Sequence, residues 1–498
     1  MMGPGRLQIM AAPAPDEIQP RGQGHAGQVL GWVRCSGVVA LVAMAVWAVG
    51  DAAIRHAPNP AQLNFVEGFV VADAQRVAAG GPLYNDPREV PFTVNVYTPL
   101  YTLLLAGLAR LGADPFLAGR LLSLASMAAV AAVVAAAGWR RSRVVAMTAA
   151  SLFLLAPLQW PWSLVVRPDA LAVALSVAAV ALAATREDGS PPWTAWLLAV
   201  AAVFAKQTAA AACAALVLSG LRRRPRRALA AVAVGGFAAA LVAAVLQWAS
   251  GGWFLFHTVS ANLNPFSWER AAVLALAFLR RHSVEMAVLV GLLATRIARR
   301  RLGVVELYAV LACLAAASVG KAGSDLNYFV EPLAAAALLS AHAWPVTPPL
   351  GWRVQPGAGV ALLVSAVWLG AVHLADQRQR REPFAAAAPL ARQLAGRLQI
   401  IPGLVVSDDA TLLLRAGKPV VFQPFVMKEL AEAGRWDEGP FLAALQDGRV
   451  GAVVVQSAPA AVAATRYTAG MRQAIATNFR PAWGFVLGFP YTVHERLP

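Results

Sequence analysis

The sequence predicts a mainly α, polytopic helical membrane protein with a small C-terminal α/β domain. Three observations predict it. First, 58% of the 498 residues are hydrophobic and only 14% charged, against about 25% charged in an ordinary soluble domain, and the mean hydropathy is +0.58. Second, uncharged runs recur at Leu121–Trp139, Val144–Val166, Ala170–Thr185 and Ala228–Ser250. About 20 apolar residues cross a bilayer, so the shorter runs require tilt or a thin region. Third, the composition changes after Asp376. Short β-type runs at Gly403–Ser407, Pro419–Phe422 and Gly451–Gln456 alternate there with helical stretches such as Pro440–Gln446, the pattern of a small α/β domain.

The elements follow in order. Residues 1–28, rich in Pro, Gly and Gln, read as a disordered cytoplasmic tail, and residues 29–376 as the transmembrane domain. The first span is Trp32–Ala53, with Arg34 before it on the inner side. Residues 55–96 form a long outer loop, and Val96–Leu111 is a short helix that dips into the outer interface without crossing. From there the arginines set the topology. Clusters at Arg140-Arg141-Arg143, Arg222–Arg227 and Arg296–Arg301 lie between spans and mark the cytoplasmic ends. Gly251–Arg281 is expected to be an outer loop, with Trp253, Phe254, Phe256 and Trp268 as an interfacial belt. About eleven crossings result, with residues 377–498 forming an extracytoplasmic domain on the same side as the first loop.

The net charge of +16 suggests nucleic-acid binding at first sight. Its concentration in short clusters between spans argues for a topogenic role instead. Cys35, Cys213 and Cys313 are odd in number and widely separated, which argues against a disulfide framework or a metal site. No G-x-G-x-x-G follows a strand, so a dinucleotide fold gets no support.

The stretch that carries chemistry is Asn64–Pro99, a polar island holding Glu67, Asp73, Arg76, Asp86, Arg88 and Glu89. A connection this long is usually functional. Charged groups beside membrane spans are costly and mark functional sites by default. Outside the arginine clusters these are Glu67, Asp73, Arg167, Asp169, Lys206, Lys321, Asp325 and Glu331, all on the outer side of the expected topology. Lysine is rare in this chain, and Lys206 and Lys321 both fall outside, against the positive-inside trend. Lys and Arg hold phosphates by charge-assisted hydrogen bonds, and a carboxylate such as Glu67 can serve as general base. The combination fits sugar transfer from a lipid phosphate. Each group also has a plainer reading: a solvated loop acid, a helix-start ion pair for Arg167 and Asp169, or a locally paired turn for Lys321, Asp325, Asn327 and Tyr328. Glu67, Asp73 and Asp169 offer hard oxygen ligands, which leaves room for a divalent cation. No His/Cys spacing supports zinc.

The chain resembles the GT-C superfamily of integral membrane glycosyltransferases, in particular the branch of protein O-mannosyltransferases and aminoarabinose transferases (glycosyltransferase family 39-like). The resemblance rests on Val66-Glu67-Gly68, Gly81-Pro82-Leu83-Tyr84 with Asp86-Pro87, and Tyr97-Thr98-Pro99-Leu100-Tyr101. It continues at Arg167-Pro168-Asp169, Ala205-Lys206-Gln207-Thr208, Asn262–Trp268 and Ser324–Glu331. It implies a polyprenyl-phosphate-linked sugar donor, a membrane-lipid environment, an acceptor of unassigned type, no required cofactor, and inversion at the anomeric carbon. It also implies an acidic base in the first outer loop. The Ala- and Arg-rich composition points to a bacterium with GC-rich DNA and hence to the plasma membrane, and the clustered charge implies no nucleic-acid partner. Many members read Asp-Glu where this chain reads Val66-Glu67, so the base role falls on Glu67 alone. The implied substrate-binding set is Asp73, Tyr97, Arg167, Asp169, Lys206, Gln207, His257, Asn262, Asn264, Lys321, Asp325, Asn327 and Tyr328. A lipid or glycan flippase is the alternative; it should show paired repeats and ionisable groups at mid-membrane, whereas here they gather on one side. A non-catalytic scaffold leaves the outward lysines and the long loop unexplained.

Overall fold

The computed structural model describes residues 22–186, 191–344, 356–457 and 465–498. The expected tail at residues 1–28 lies outside the described residues as far as residue 21. From Gly22 the chain is already helical, in α1 (Gly22–Asp51).

Long apolar runs fold as helices because every backbone polar group must be satisfied within the segment when water is absent. Four helices are long and apolar enough to cross a membrane: Gly31–His56, Pro115–Gly138, Pro225–Ala249 and Gly359–Gln399. Shorter apolar helices fill the bundle between them, including α5 (Arg143–Leu155), α7 (Asp169–Ala184), α8 (Trp193–Ala205), α9 (Ala211–Arg223) and α13 (Val304–Ala316). The chain is a multi-pass membrane protein. At its centre stands α14 (Val330–Ala343), which packs on α4 (Pro115–Gly138), α5, α7, α12 (Trp268–Ala298) and α13. Ala334, Ala335, Ala336 and Ala337 are all buried there, and such small residues let membrane helices approach closely. At Gly138 a Cβ would stand 2.8 Å from the Ala341 carbonyl oxygen. By contrast α10 (Pro225–Ala249) is almost wholly exposed along its length, as a lipid-facing helix should be.

Two boundaries differ from expectation. The loop expected after α10 ends at Ser267, whose hydroxyl caps α12 by accepting from Arg270 N, so Trp268–Arg281 is helix rather than loop. The bundle also does not end at Asp376. Helix α15 runs unbroken over Pro356–Ala386. Beyond residue 376, Gln377 donates to the carbonyls of Leu154, Leu155 and Ala156. These oxygens lie at the C-terminal end of α5 and have no intrahelical partner. Arg381 donates to Ala48 O at 3.0 Å and to Asp51 Oδ2 at 2.8 Å. Polar pins therefore hold this stretch of α15 to the bundle.

The α/β domain follows. Its sheet runs β1 (Leu404–Ser407), β2 (Val450–Gln456), β4 (Phe489–Arg496), β3 (Phe479–Leu487) in spatial order, with β1 parallel to β2 and the other pairs antiparallel. Helices α16 (Ala388–Gln399) and α17 (Ala410–Arg415) pack on one face. Helices α18 (Pro424–Glu432), α19 (Gly439–Gln446) and α20 (Ala469–Asn478) pack on the other. Residues 419–422 are not a strand. They contribute one isolated parallel bridge, Phe92 to Phe422, which stitches the first long loop to the domain.

That loop is folded rather than slack. Its helix α2 (Glu67–Ala78) buries Phe69, Val70, Val71 and Ala74 and packs on α3 (Pro99–Arg110) and α17. Gly68 lies so close to α17 that a Cβ would stand 2.4 Å from Thr411 N. At ~1.5 Å per residue the twelve residues of α3 reach about 18 Å, short of the ~30 Å hydrocarbon core.

Candidate active site

Three polar centres meet where the first loop, the bundle and the α/β domain join. The first is Glu67, fully buried at the start of α2. Its Oε1 accepts from Arg120 Nε at 2.8 Å and from Val166 N at 3.2 Å; its Oε2 accepts from Arg120 Nη2 at 2.7 Å and from Leu63 N at 3.0 Å. Arg120, on α4 and equally buried, spends its other donors on the carbonyls of Ala57, Asn59 and Ala61. Both carboxylate oxygens are thus committed, and no face of Glu67 is open to an acceptor. The residue fastens the first loop to α4 and to the segment before Arg167.

The second centre gathers Tyr97, Arg167, Asp169, Lys206, Asn327 and Tyr328. Asp169, in the first turn of α7, receives Lys206 Nζ and Asn327 Nδ2, each at 2.6 Å on Oδ1, and Arg167 Nε lies 3.3 Å from Oδ2. Lys206 sits 4.5 Å over the Tyr328 ring. The Arg167 guanidinium lies between the rings of Tyr97 and Trp162 and donates to Asn64 Oδ1 at 3.3 Å. Lys206 terminates α8, and Asn327 lies in the turn before α14, so four separate segments converge. Glu331 lines the same small cavity.

The third centre is a cleft of about 540 Å³ between bundle and domain. Asn64, Trp160, Trp162 and Asp325 face it from the bundle side, Arg281 and His282 from α12, Arg380 from α15, and Gln456 and Arg466 from the domain. Three guanidiniums against one carboxylate make it a cationic site. Arg281 has no ion pair among the described residues, Arg380 pairs with Asp376 at 2.9 Å, and Arg466 lies 3.6 Å over the Phe65 ring. Asp325 accepts from Leu326 N at 2.7 Å through Oδ1, while its other oxygen takes no hydrogen bond among the described residues. Behind the cleft, His282 marks the kink of α12. Its Nδ1 lies 3.5 Å from Glu285 Oε1, which also receives His373 Nε2 at 2.9 Å.

The remaining candidates hold backbone. Gln207 donates to Val96 O and Thr258 O, and Asn262 to Val96 O and Thr258 O. His257 is fully buried between Asn95 N and Asn85 O; burial depresses its pKa to about 4, so it is a neutral brace. Asn264 donates to Ala322 O. Lys321 bridges Phe266 through its backbone and does not line the cleft. Asp73 is buried against Arg76 at 2.5 Å, and its desolvation outweighs that partner, holding its pKa above the usual carboxylate range. Glu67, Asp73 and Asp169, the oxygen ligands considered for a divalent cation, each pair with a different basic side chain. Among the described residues no three His, Cys, Asp or Glu side chains are grouped to hold a metal.

Sequence reasoning missed Arg120, Arg281, His282, Arg380 and Arg466. A signal existed for Arg120: a lone arginine inside an apolar helix needs a carboxylate partner. The cleft arginines looked like the ends of loops or of the C-terminal domain.

No protein-family profile matches this sequence, and no curated protein matches it. Solved structures do. The aminoarabinose transferase ArnT from Cupriavidus metallidurans in its apo state is 16% identical with a TM-score of 0.56, covering 94% of this chain and 98% of ArnT. ArnT bound to undecaprenyl phosphate is 15% identical with a TM-score of 0.57 and the same coverage. The oligosaccharyltransferase AglB from Archaeoglobus fulgidus, in complex with an inhibitory peptide and a dolichol-phosphate, is 11% identical with a TM-score of 0.49, covering 93% of this chain and 74% of AglB. The likeness to ArnT is one of architecture, spans nearly the whole of both chains, and gives this chain the fold of ArnT.

Proposed function

We propose that the protein transfers a sugar from a polyprenyl-phosphate-linked donor to an acceptor at the outer face of the plasma membrane. The observation that carries this reading is the cleft: three arginines and two tryptophans from bundle and domain enclose one space beside a lone carboxylate. ArnT, whose fold this chain shares, has been solved with undecaprenyl phosphate. In the proposed reaction Arg281, Arg380 and Arg466 hold the donor phosphate. Guanidinium suits this because it is always charged and matches phosphate oxygens in pairs. The uncommitted oxygen of Asp325 takes the acceptor's proton. The acceptor oxygen or nitrogen then attacks the anomeric carbon as the bond to the phosphate oxygen breaks. The arginines stabilise the charge that collects on the departing lipid phosphate. A single displacement inverts the anomeric centre. All charge stabilisation comes from side chains, so no cofactor enters the scheme. Glu67 serves as a positioning residue: through Arg120 and Val166 N it fixes the loop and the Arg167 segment.

The test is transfer of labelled sugar from a polyprenyl phosphate in membranes of the overproducing strain. Transfer should fall steeply in Arg281→Ala and Asp325→Asn. A flippase would instead move labelled lipid between leaflets with no label reaching an acceptor, and that outcome would overturn the proposal. Orientation is read by impermeant thiol labelling in a cysteine-free background. Glu432→Cys should label from outside the cell, and Arg222→Cys only after permeabilisation.

A further inference from the structure

The far end of the bundle holds a second cationic cavity that sugar transfer does not use. Helix α7 starts at Asp169 beside the outer cluster and ends at Ala184, so at ~1.5 Å per residue Arg186 lies more than 20 Å from that cluster. Helix α8 returns from Trp193 to Lys206, α9 descends again, and α10 starts beside its end. Trp193, Trp196, Arg186, Arg224 and Arg227 thereby come to line one cavity of about 480 Å³, within the range of ligand pockets. Gly220 permits this closure: a Cβ there would stand 3.0 Å from the Ala228 Cβ, drawing the end of α9 onto the start of α10.

We propose that this cavity binds the phosphate-bearing headgroup of an anionic glycerophospholipid. Among the described residues no acidic side chain lines it, and none of its three arginines makes an ion pair there. A purely topogenic arginine cluster has no need of a cavity. Here only Arg224 and Arg227 of the Arg222–Arg227 cluster enter the lining, and Arg186 joins them from a different turn. The first turn of α10, a 25-residue helix, has no side-chain cap, so its free N–H groups and the positive end of its dipole add to the attraction for a phosphate. The apolar surroundings favour a lipid over a free anion. Leu229 and Phe237 of α10 are 59% and 71% exposed, and Trp193 is 59% exposed. They extend the cavity along a lipid-facing surface where acyl chains would lie. Basic pockets at the cytoplasmic ends of membrane helices bind anionic headgroups in this manner, with tryptophan suited to the headgroup level.

The test is native mass spectrometry of the full chain released from nanodiscs holding equal parts phosphatidylcholine and phosphatidylglycerol. The wild type should retain phosphatidylglycerol in preference to phosphatidylcholine by about tenfold. The preference should disappear in Arg186→Ala/Arg224→Ala/Arg227→Ala. It should persist in Arg140→Ala/Arg141→Ala, which removes charge from another cluster. It should also persist in Arg224→Lys/Arg227→Lys, which keeps the charge and controls for folding. A preference unchanged in the triple variant, or lost equally in the Arg140/Arg141 variant, would overturn the site. Displacement of phosphatidylglycerol by an equal concentration of inorganic phosphate would overturn its assignment to lipid.

Discussion

Glu67 and Arg120 form a two-armed pair, at 2.8 and 2.7 Å, with neither side chain open to solvent. The acid expected to do chemistry is the point at which the first loop is anchored to the bundle. Removing one partner of such a pair strands a charge and costs about 3–5 kcal/mol. Arg120→Ala should therefore lower the unfolding temperature of the detergent-solubilised protein sharply. Glu67→Gln, which can still accept hydrogen bonds, should lower it less. A wild-type melting curve for Arg120→Ala would remove this pair as the anchor.

Asp169 and Lys206 invite a double-mutant cycle. Lys206→Met alone leaves Asp169 buried with only Arg167 and Asn327 to compensate it, and should cost several kcal/mol. Lys206→Met with Asp169→Asn should recover much of that loss in thermal unfolding. Additive losses would mean that the two residues do not act as a pair.

Asp325 is where the proposed chemistry is most exposed to test. Asp325→Asn should reduce transfer about 10²–10⁴-fold, the usual contribution of a general base. Donor binding and melting temperature should stay near wild type. Glu67→Gln should lose activity only in step with stability. If Glu67→Gln abolished transfer in a protein as stable as the wild type, the base would be Glu67 after all.

The α/β domain should carry a pH signature. Asp409 is fully buried beneath α17, and desolvation, reinforced by the neighbouring Glu67 and Asp408 charges, raises its pKa to about 7. The folded value lies above the unfolded one of ~3.9, so the folded state binds the proton more tightly. That stability is complete below about pH 4 and declines as pH rises through 7. Asp409→Asn should flatten the fall in stability between pH 5 and 8. An unchanged pH profile in that variant would place the titration elsewhere.

The sequence made the bundle legible because long uncharged runs leave the backbone only one way to satisfy itself. It made the convergence of Arg167, Asp169, Lys206 and Asn327 legible because each interrupts apolar sequence at the same side. It hid β3 and β4, where Pro481, Gly484, Gly488 and Pro490 act as local breakers. Pro481 fits because β3 is an exposed edge strand, where a missing N–H is tolerated, and Gly488 makes the turn into β4 with a positive φ of 75°. It hid the cleft because the cleft is made between parts. Arg281, Arg380 and Arg466 lie far apart in the chain, and only the docking of the domain on the bundle brings them together. The role of Glu67 turned on Arg120: a lone arginine in an apolar helix signals a carboxylate partner, but which carboxylate it takes shows only in the fold.

The uninterrupted course of α15 past residue 376 has a practical corollary. A protein cut there would be cut through the middle of a rod. The upstream fragment would lose the plug that Gln377 and Arg381 set into the ends of α5 and α1, and the downstream fragment would begin with a frayed, sticky half-helix. Anyone wishing to crystallise the α/β domain by itself should begin at Ala388. Anyone imagining that domain as a swinging cover must first explain how a continuous helix would bend.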